Sequence, residues 1–241
     1  MRNALHYLPI LTTLVAMPFA AVLYRRWRSK PEAMYLFWWM IGVLTYMAGT
    51  VTESLTTLFG WQLPVFKAWY VTGALLGGWP LAQGTIHLFF SRRTADRMAL
   101  VVLSFITVAA VLVLMSPVNL SLVEPFRLSG KVLEWSWVRL FSPFVNTYAV
   151  IFLVGGAGWS AWKYAKEGAP ARSRMWGNLW IALGALLPGI GGSMARFDLV
   201  EGLYVGELIG LILIWTGYRV IAGDRSMSIH RNQQLVAPPA A

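Results

Sequence analysis

The sequence predicts an all-α integral membrane protein, a bundle of seven transmembrane helices. Composition is the first reason: 57% of the 241 residues are hydrophobic and only 12% are charged, about half the charged share of a soluble domain. The second reason is that seven stretches approach the roughly 20 apolar residues that a membrane span requires. The third is that basic residues alternate between the loops on the two sides.

The seven predicted spans follow from the apolar runs and the polar segments that separate them. They lie at residues 5–24, 34–58, 66–90, 98–116, 138–162, 175–196 and 203–222. We expect residues 1–222 to form one seven-helix transmembrane domain. We expect residues 223–241 to form a short cytoplasmic tail without ordered structure, because a polar chain end has little to pack against.

The distribution of basic residues predicts the orientation of the chain. The loops YRRWRSK, SRRTADR and KYAKEGAPARSR, with the segment from Arg219 to Arg231, contain 14 of the 20 Lys and Arg residues. Because the cytoplasmic side of a membrane protein carries this excess, the amino terminus is predicted outside and the carboxyl terminus inside a bacterial inner (cytoplasmic) membrane. The net charge of +10 is then loop charge, and we expect no nucleic-acid partner.

Glycines and prolines interrupt several of the predicted spans. The third and seventh spans contain Gly-xxx-Gly motifs at 73–77 and 206–210, a spacing that allows membrane helices to approach closely. This spacing predicts either packing within the bundle or a homodimer interface. Pro80 and Pro188 predict kinks because proline removes a backbone hydrogen bond, and broken membrane helices often line cavities.

A few polar side chains are predicted to share one layer near the outer leaflet. At 1.5 Å per residue, Glu53 lies roughly 10 Å below the outer boundary, Glu207 roughly 7 to 8 Å and Asn146 roughly 12 Å. Arg139 and Arg196 occupy the outer ends of the fifth and sixth spans. Charged residues at such depths usually face the interior of the bundle.

Three interpretations of this layer are open. The glutamates pair with Arg196 or Arg139 and join helix ends, or they line a pocket that binds a lipid headgroup while Trp and Gly surfaces accept an apolar body. In the third interpretation, the two carboxylates share a proton or, with His6, bind a cation. The candidate ligand-binding residues are Glu53, Trp79, Gln83, Asn146, Arg196 and Glu207.

Several cofactors and reactions are disfavoured by the residues that the chain lacks. No lysine occurs in the seventh span, so a retinal Schiff base is excluded, and only His87 is suitably placed for b-type haem, which needs two intramembrane histidines. There is no cysteine, and no nucleophile elbow, HExxH or phosphate-binding loop occurs. The sequence gives no support for an enzyme, assigns no catalytic residue or metal ligand, and leaves any cofactor unidentified.

The stretches TESLTTLFGW, FKAWYVTGALLGGWPLAQGTIHLFFSRR and GNLWIALGALLPGIGG, which cover about a third of the chain, resemble a group of uncharacterised bacterial seven-transmembrane proteins. The layout is also similar to the amino-terminal seven-span sensor region of bacterial histidine kinases. This resemblance implies an N-out bundle that senses a ligand or a membrane state. No kinase or cyclase sequence follows the seventh span, so a signalling role implies a separate partner. The resemblance carries over no functional residue.

The leading hypothesis is a non-enzymatic protein that binds or senses a lipid or other apolar ligand. Its pocket is expected near the outer leaflet, between the second, third, fifth, sixth and seventh spans. An accessory or structural subunit of a respiratory or photosynthetic membrane complex is the alternative, and a small transporter is the third. The expected partners are membrane lipids, with other membrane subunits or a homodimer partner left open.

Overall fold

The computed structural model describes residues 4–196 and 199–224, excluding the side chains of residues 195 and 196. These residues form helices joined by turns, and the extended pairings among them are two isolated bridges, Val118–Leu133 and Glu124–Arg127. The all-α class is therefore confirmed. The tail predicted at 223–241 lies outside the described residues beyond Asp224.

The described chain contains α-helices of 7 to 26 residues. They are α1 (Leu8–Ser29), α2 (Met34–Phe59), α3 (Leu63–Trp69), α4 (Trp79–Phe89), α5 (Arg92–Met115), α6 (Phe141–Ala149), α7 (Gly155–Lys166), α8 (Arg172–Arg196) and α9 (Val200–Gly223).

Five helical stretches of the described residues are long and apolar enough to cross a membrane. They are Ala4–Ser29, Met34–Phe59, Arg92–Met115, Ser136–Lys166 and Val200–Gly223. They coincide with the first, second, fourth, fifth and seventh predicted spans. The chain therefore has the long apolar helices of an integral membrane protein.

The third predicted span is a broken helix. A π-helical segment, Tyr70–Leu75, follows α3, and a turn then precedes α4. Gly77 in that turn has φ +46°, a backbone conformation that favours glycine because it has no Cβ. The kink expected at Pro80 is thus a complete break, with the proline in the first turn of the new helix, where its missing N–H is tolerated.

The sixth predicted span is α8, which continues through Pro188. It packs along the whole of α9 in the antiparallel direction through facing glycines. A Cβ on Gly184 would lie 2.6 Å from the carbonyl oxygen of Gly210, and a Cβ on Gly191 would lie 2.7 Å from that of Gly202. Packing within the bundle, as the glycine spacing of the seventh span predicts, is therefore confirmed.

The α3–α4 segment runs antiparallel to α5 over most of its length. Near its start, Lys67 Nζ donates to the carbonyl oxygens of Val113 and Ser116, at 2.7 and 2.6 Å. Near its end, Gln83 Nε2 donates to the carbonyl oxygen of Ala95 at 2.8 Å. The segment therefore extends between both ends of a helix that is long enough to cross a membrane.

The bundle has two ends, which we name from the chain termini. The N-terminal face is where α1 begins and α2 ends, and there the Thr57 hydroxyl donates to the carbonyl oxygen of His6 at 3.0 Å. The C-terminal face is where α1 and α9 end, and there Arg26 donates to the carbonyl oxygen of Ala222 at 3.3 Å. The largest apolar core cluster joins α1, α2, α4, α8 and α9 with the π-helical segment Val150–Val154 and α7.

Candidate functional site: a carboxyl pair and an apolar groove

Glu53 and Glu207, one from α2 and one from α9, meet inside the bundle and form what we call the carboxyl pair. Their carboxyl groups lie close enough to interact directly. Glu53 is only 3% exposed, and Trp69 Nε1 donates to its Oε1 at 2.9 Å. The Oε2 atoms of both residues are buried and have no hydrogen-bond donor among the described residues. The pair therefore joins two helices that are far apart in sequence.

Aromatic side chains lie on both sides of the carboxyl pair along the bundle. The Tyr46 hydroxyl, from the same helix as Glu53, donates to the backbone carbonyl oxygen of Glu207 at 2.9 Å. Tyr204 is 3% exposed and lies one turn before Glu207. The His6 ring contacts the Tyr204 ring edge-on, with centroids 6.0 Å apart. Tyr204 and His6 thus lie on the side of the carboxyl pair towards the N-terminal face, and Tyr46 lies on the other side.

A groove of about 330 Å³ opens between α8 and α9 in the N-terminal half of the bundle. We call it the α8–α9 groove. Its carboxylate comes from Glu201, at the start of α9, and its other walls are apolar side chains and glycines. Its lining comprises Leu5, Leu187, Ile190, Gly191, Met194, Glu201, Gly202, Val205, Gly206 and Ile209.

The carboxyl pair lies next to the groove along α9. Gly206 belongs to the groove wall and directly precedes Glu207. A Cβ on Gly206 would lie 2.7 Å from the carbonyl oxygen of Leu187, so this wall is formed by the close approach of the two backbones. A change in the position of α9 at Glu207 would therefore also change the groove.

A second polar cluster lies near the C-terminal face, around Gln83. This residue is 0% exposed, and its Oε1 accepts a hydrogen bond from the Tyr148 hydroxyl at 3.1 Å. His87 Nδ1 lies 2.9 Å from the Gln83 carbonyl oxygen, and His87 Nε2 lies 3.1 Å from Asp96 Oδ1. The cluster connects the broken third helix to α5 and α6 and ends at a half-exposed aspartate.

The structure brings some of the predicted site residues together and separates others. Glu53 and Glu207 form one site, as their shared depth predicts, whereas Gln83 belongs to the second cluster. Asn146 packs against the helix break, where its Oδ1 lies 2.6 Å from the Cβ position of Gly77. Trp79 is 2% exposed and its ring contacts that of Trp38 edge-on, 5.2 Å away.

The predicted arginine partners are not observed on the carboxyl pair. The side chain of Arg196 lies outside the described part of the chain. Arg139 lies near Gly130, where its Nε is 3.8 Å from the Cβ position of that glycine. No arginine or lysine among the described residues forms an ion pair with Glu53 or Glu207; Glu53 instead accepts from the indole of Trp69.

Sequence reasoning missed the polar contacts that depend on how the helices fold together. Trp69, Tyr46 and Tyr148 are ordinary aromatic residues in apolar runs, and no spacing rule distinguishes a ring that donates to a carboxyl group. Asp96 belongs to the basic segment SRRTADR, which the sequence predicts to be a solvent-exposed loop. The signal available for a cavity was the proline and glycine content of the third and sixth spans, which did not indicate a groove between α8 and α9.

The fold and the site define a helical membrane protein in which two glutamates from different helices meet beside an apolar groove. Comparison with family models, with curated proteins and with solved structures finds no match to this chain.

Proposed function

We propose that this protein is a non-enzymatic, seven-span membrane protein that binds a membrane lipid or another apolar ligand. The ligand's apolar chain occupies the α8–α9 groove. The observation that carries this proposal is the apolar lining of the groove. Its volume of about 330 Å³ falls within the range of small-molecule sites, roughly 300 to 1,000 Å³, which are mostly apolar with a few polar groups.

The position of the groove favours an acyl chain as its occupant. Ile190 and Ile209, on opposite sides of the groove, are 54% and 45% exposed, so the groove opens to the exterior of the bundle, where lipid chains surround a membrane protein. The glycines in its walls supply close backbone surface without side chains. Glu201 is the carboxylate among the residues that line the groove.

Seven spans are supported by the contacts of the α3–α4 segment and of α8. The α3–α4 segment reaches from Ser116 to Ala95 along α5, and α8 reaches from Gly202 to Ile221 along α9. Both α5 and α9 are long and apolar enough to cross a membrane. A partner that extends along such a helix crosses with it, which adds two spans to the five.

The proposed orientation places the N-terminal face outside the bacterial inner membrane. The support is the excess of Lys and Arg in the loops of the C-terminal face, since cytoplasmic loops carry this excess. The carboxyl pair and the groove then lie in the outer-leaflet half of the bundle.

The groove proposal is tested by filling the groove with a large side chain. Val205→Trp places an indole in the groove lining, and the matched control Val101→Trp makes the same change on α5, where Val101 is 70% exposed. The protein is purified in mild detergent and lipid retention is measured by native mass spectrometry. We expect the wild type and Val101→Trp to retain one lipid per chain and Val205→Trp to lose it at least tenfold. Equal retention by both variants would reject the groove as the site.

A small transporter is the second candidate, and the break in the third predicted span favours it. Interrupted helices are typical of the substrate sites of membrane transporters, and this break contacts Asn146 close to the π-helical segment Val150–Val154. π-helical segments often occur at functional sites. Vesicles reconstituted with the protein and loaded with a pH-sensitive dye test this candidate. A transmembrane pH change on addition of a substrate would support it, and lipid retention without any such change would favour the binding protein.

A further inference from the structure

A hydrogen bond between the two carboxyl groups of the pair requires a proton on one of them. The carboxyl groups of Glu53 and Glu207 lie next to each other, and an ionised carboxylate can only accept hydrogen bonds. The Oε2 atoms of both residues are buried with no donor among the described residues. A hydrogen bond between the two groups therefore requires one of them in its protonated form.

Burial makes a single shared proton more favourable than two negative charges. Two carboxylates that share one site repel each other and rarely both ionise, and a charge inside a membrane protein is costly unless it is paired. No basic side chain among the described residues forms an ion pair with either glutamate. One proton removes the repulsion and leaves one negative charge, which the two carboxyl groups and the Trp69 indole stabilise together.

The surrounding contacts indicate which glutamate carries the proton. Trp69 Nε1 donates to Glu53 Oε1 at 2.9 Å, and such a donor stabilises a carboxylate more than a carboxylic acid. The Tyr46 hydroxyl is directed to the backbone carbonyl oxygen of Glu207, so it supplies no hydrogen bond to the Glu207 carboxyl group. Glu53 is thus the acceptor and Glu207 the donor.

We propose that the carboxyl pair is a proton-binding site, in which one exchangeable proton on Glu207 bridges to Glu53 and joins α9 to α2. This inference rests on the hydrogen-bond chemistry of the pair and does not depend on which ligand occupies the groove. Removal of the proton creates two facing carboxylates and separates the two helices. Addition of the proton restores the hydrogen bond between them.

The ionisable groups around the pair come from several elements. Within α2 the nearest is Tyr46, and within α9 it is Tyr204, which also interacts electrostatically with Glu201 and with Arg127 of the 117–135 loop. The start of the chain contributes His6, whose ring contacts Tyr204. Lys67, in α3, donates instead to a backbone carbonyl oxygen of α5. A pH titration of the pair therefore has to be separated from titration of His6.

Infrared spectroscopy on the wild-type protein in lipid vesicles tests the proposal, because a protonated carboxyl group has its own C=O stretching band. Uniform labelling of glutamate with ¹³C distinguishes glutamates from aspartates. Five of the seven glutamates lie outside the carboxyl pair, in loops or near helix ends; these five are Glu32, Glu124, Glu134, Glu167 and Glu201.

At neutral pH we expect a ¹³C-sensitive band from one protonated glutamate per chain, which moves in ²H₂O and disappears at alkaline pH. Glu207→Gln should remove it, while Glu201→Gln and His6→Gln should retain it. Absence of the band in the folded wild type would overturn the proposal, as would its persistence in Glu207→Gln. If the wild-type band is absent but addition of Na⁺ raises the unfolding temperature, the pair binds a metal cation and the proposal is equally wrong. The measurement on the wild-type protein tests the proposal even if a variant fails to fold.

Discussion

At the residue scale, the described structure depends on a few buried side chains that donate hydrogen bonds to backbone carbonyl oxygens. Lys67 is 8% exposed, and its ammonium group donates to two carbonyl oxygens at the carboxyl end of α5. The last carbonyl groups of a helix have no partner within it, and the helix dipole favours a positive charge there. Lys67 therefore caps the carboxyl end of α5 from the neighbouring α3–α4 segment.

Replacing Lys67 with methionine tests this interaction. The variant keeps a long apolar side chain but leaves the carbonyl groups of Val113 and Ser116 without their donor, so we expect a loss of about 1.5 to 3 kcal/mol of unfolding free energy. Unfolding in sodium dodecyl sulfate, followed by circular dichroism, measures this loss. Lys163→Met, on the exposed end of α7, is the matched control and should change stability by less than about 0.5 kcal/mol. Equal effects of the two substitutions would contradict the assigned role.

Gln83 gives a second residue-scale prediction. Gln83→Leu leaves the Tyr148 hydroxyl and the Ala95 carbonyl oxygen without their partners. Interhelical hydrogen bonds in membrane proteins contribute about 0.6 kcal/mol each on average, so we expect a loss of about 1 to 2 kcal/mol in the same unfolding measurement. Gln62→Leu, at an exposed position before α3, is the control. A Gln83→Leu protein as stable as the wild type would show that the second cluster contributes nothing to folding.

Sequence reasoning could locate the buried ionisable residues but not their partners. Glu53 and Glu207 stand out because carboxylates are rare in apolar runs, and counting residues from the loops places them at one depth. Their contact with each other depends on α2 and α9 being neighbours, which no periodicity in either helix indicates. The arginine partners were expected from charge alone, whereas the structure gives Glu53 an indole donor.

At the element scale, the α8–α9 pair forms through glycines that leave no room for side chains. The Cβ positions of Gly184 and Gly210 each lie 2.6 Å from the carbonyl oxygen of the other residue. These contacts are with backbone atoms, which cannot turn aside as a flexible side chain can. A larger residue at either position must move the helices apart.

Gly184→Val is therefore expected to destabilise the protein by about 1 to 3 kcal/mol, the usual cost of overpacking. Gly189→Val in the same helix, where a Cβ would have nothing within 4 Å, is the matched control for the change in helix propensity from glycine to valine. Unfolding midpoints of the two variants in sodium dodecyl sulfate provide the comparison. A loss in Gly189→Val as large as in Gly184→Val would mean that close packing of α8 on α9 is not the cause.

Sequence patterns predicted the existence of these helices better than their continuity. Proline is present in both the third and the sixth predicted spans, yet α8 continues through Pro188 while the third span is interrupted ahead of Pro80. The difference lies in the neighbouring residues: Gly77 and Gly78 allow a turn with positive φ, and Asn146 packs against it. A single sequence shows the glycines but not the side chain that faces them.

At the scale of the whole molecule, the number of spans and their direction can be tested because the chain has no native cysteine. Single cysteines at Ser29, Ser91 and Ser121 sample three different loops. With seven spans and the amino terminus outside, a membrane-impermeant maleimide should label only Ser121→Cys in intact cells. The other two variants should be labelled after permeabilisation.

The labelling pattern also separates seven spans from five. If α3–α4 and α8 do not cross the membrane, the loop at Ser91 moves outside and the loop at Ser121 moves inside. Labelling of Ser91→Cys in intact cells would therefore contradict the seven-span proposal. Labelling of Ser29→Cys without permeabilisation would contradict the orientation instead.

The binding of an apolar ligand in the α8–α9 groove is the central claim, and photo-crosslinking tests it most directly. The protein is reconstituted in phosphatidylcholine vesicles that contain a trace of fatty acid with a photoactivatable group on its chain. We predict saturable crosslinks concentrated in residues 187–194 and 201–209, which excess unlabelled fatty acid prevents. Crosslinks that spread over exposed apolar surfaces such as that of α5 in proportion to their exposure, and that the competitor does not reduce, would contradict the claim.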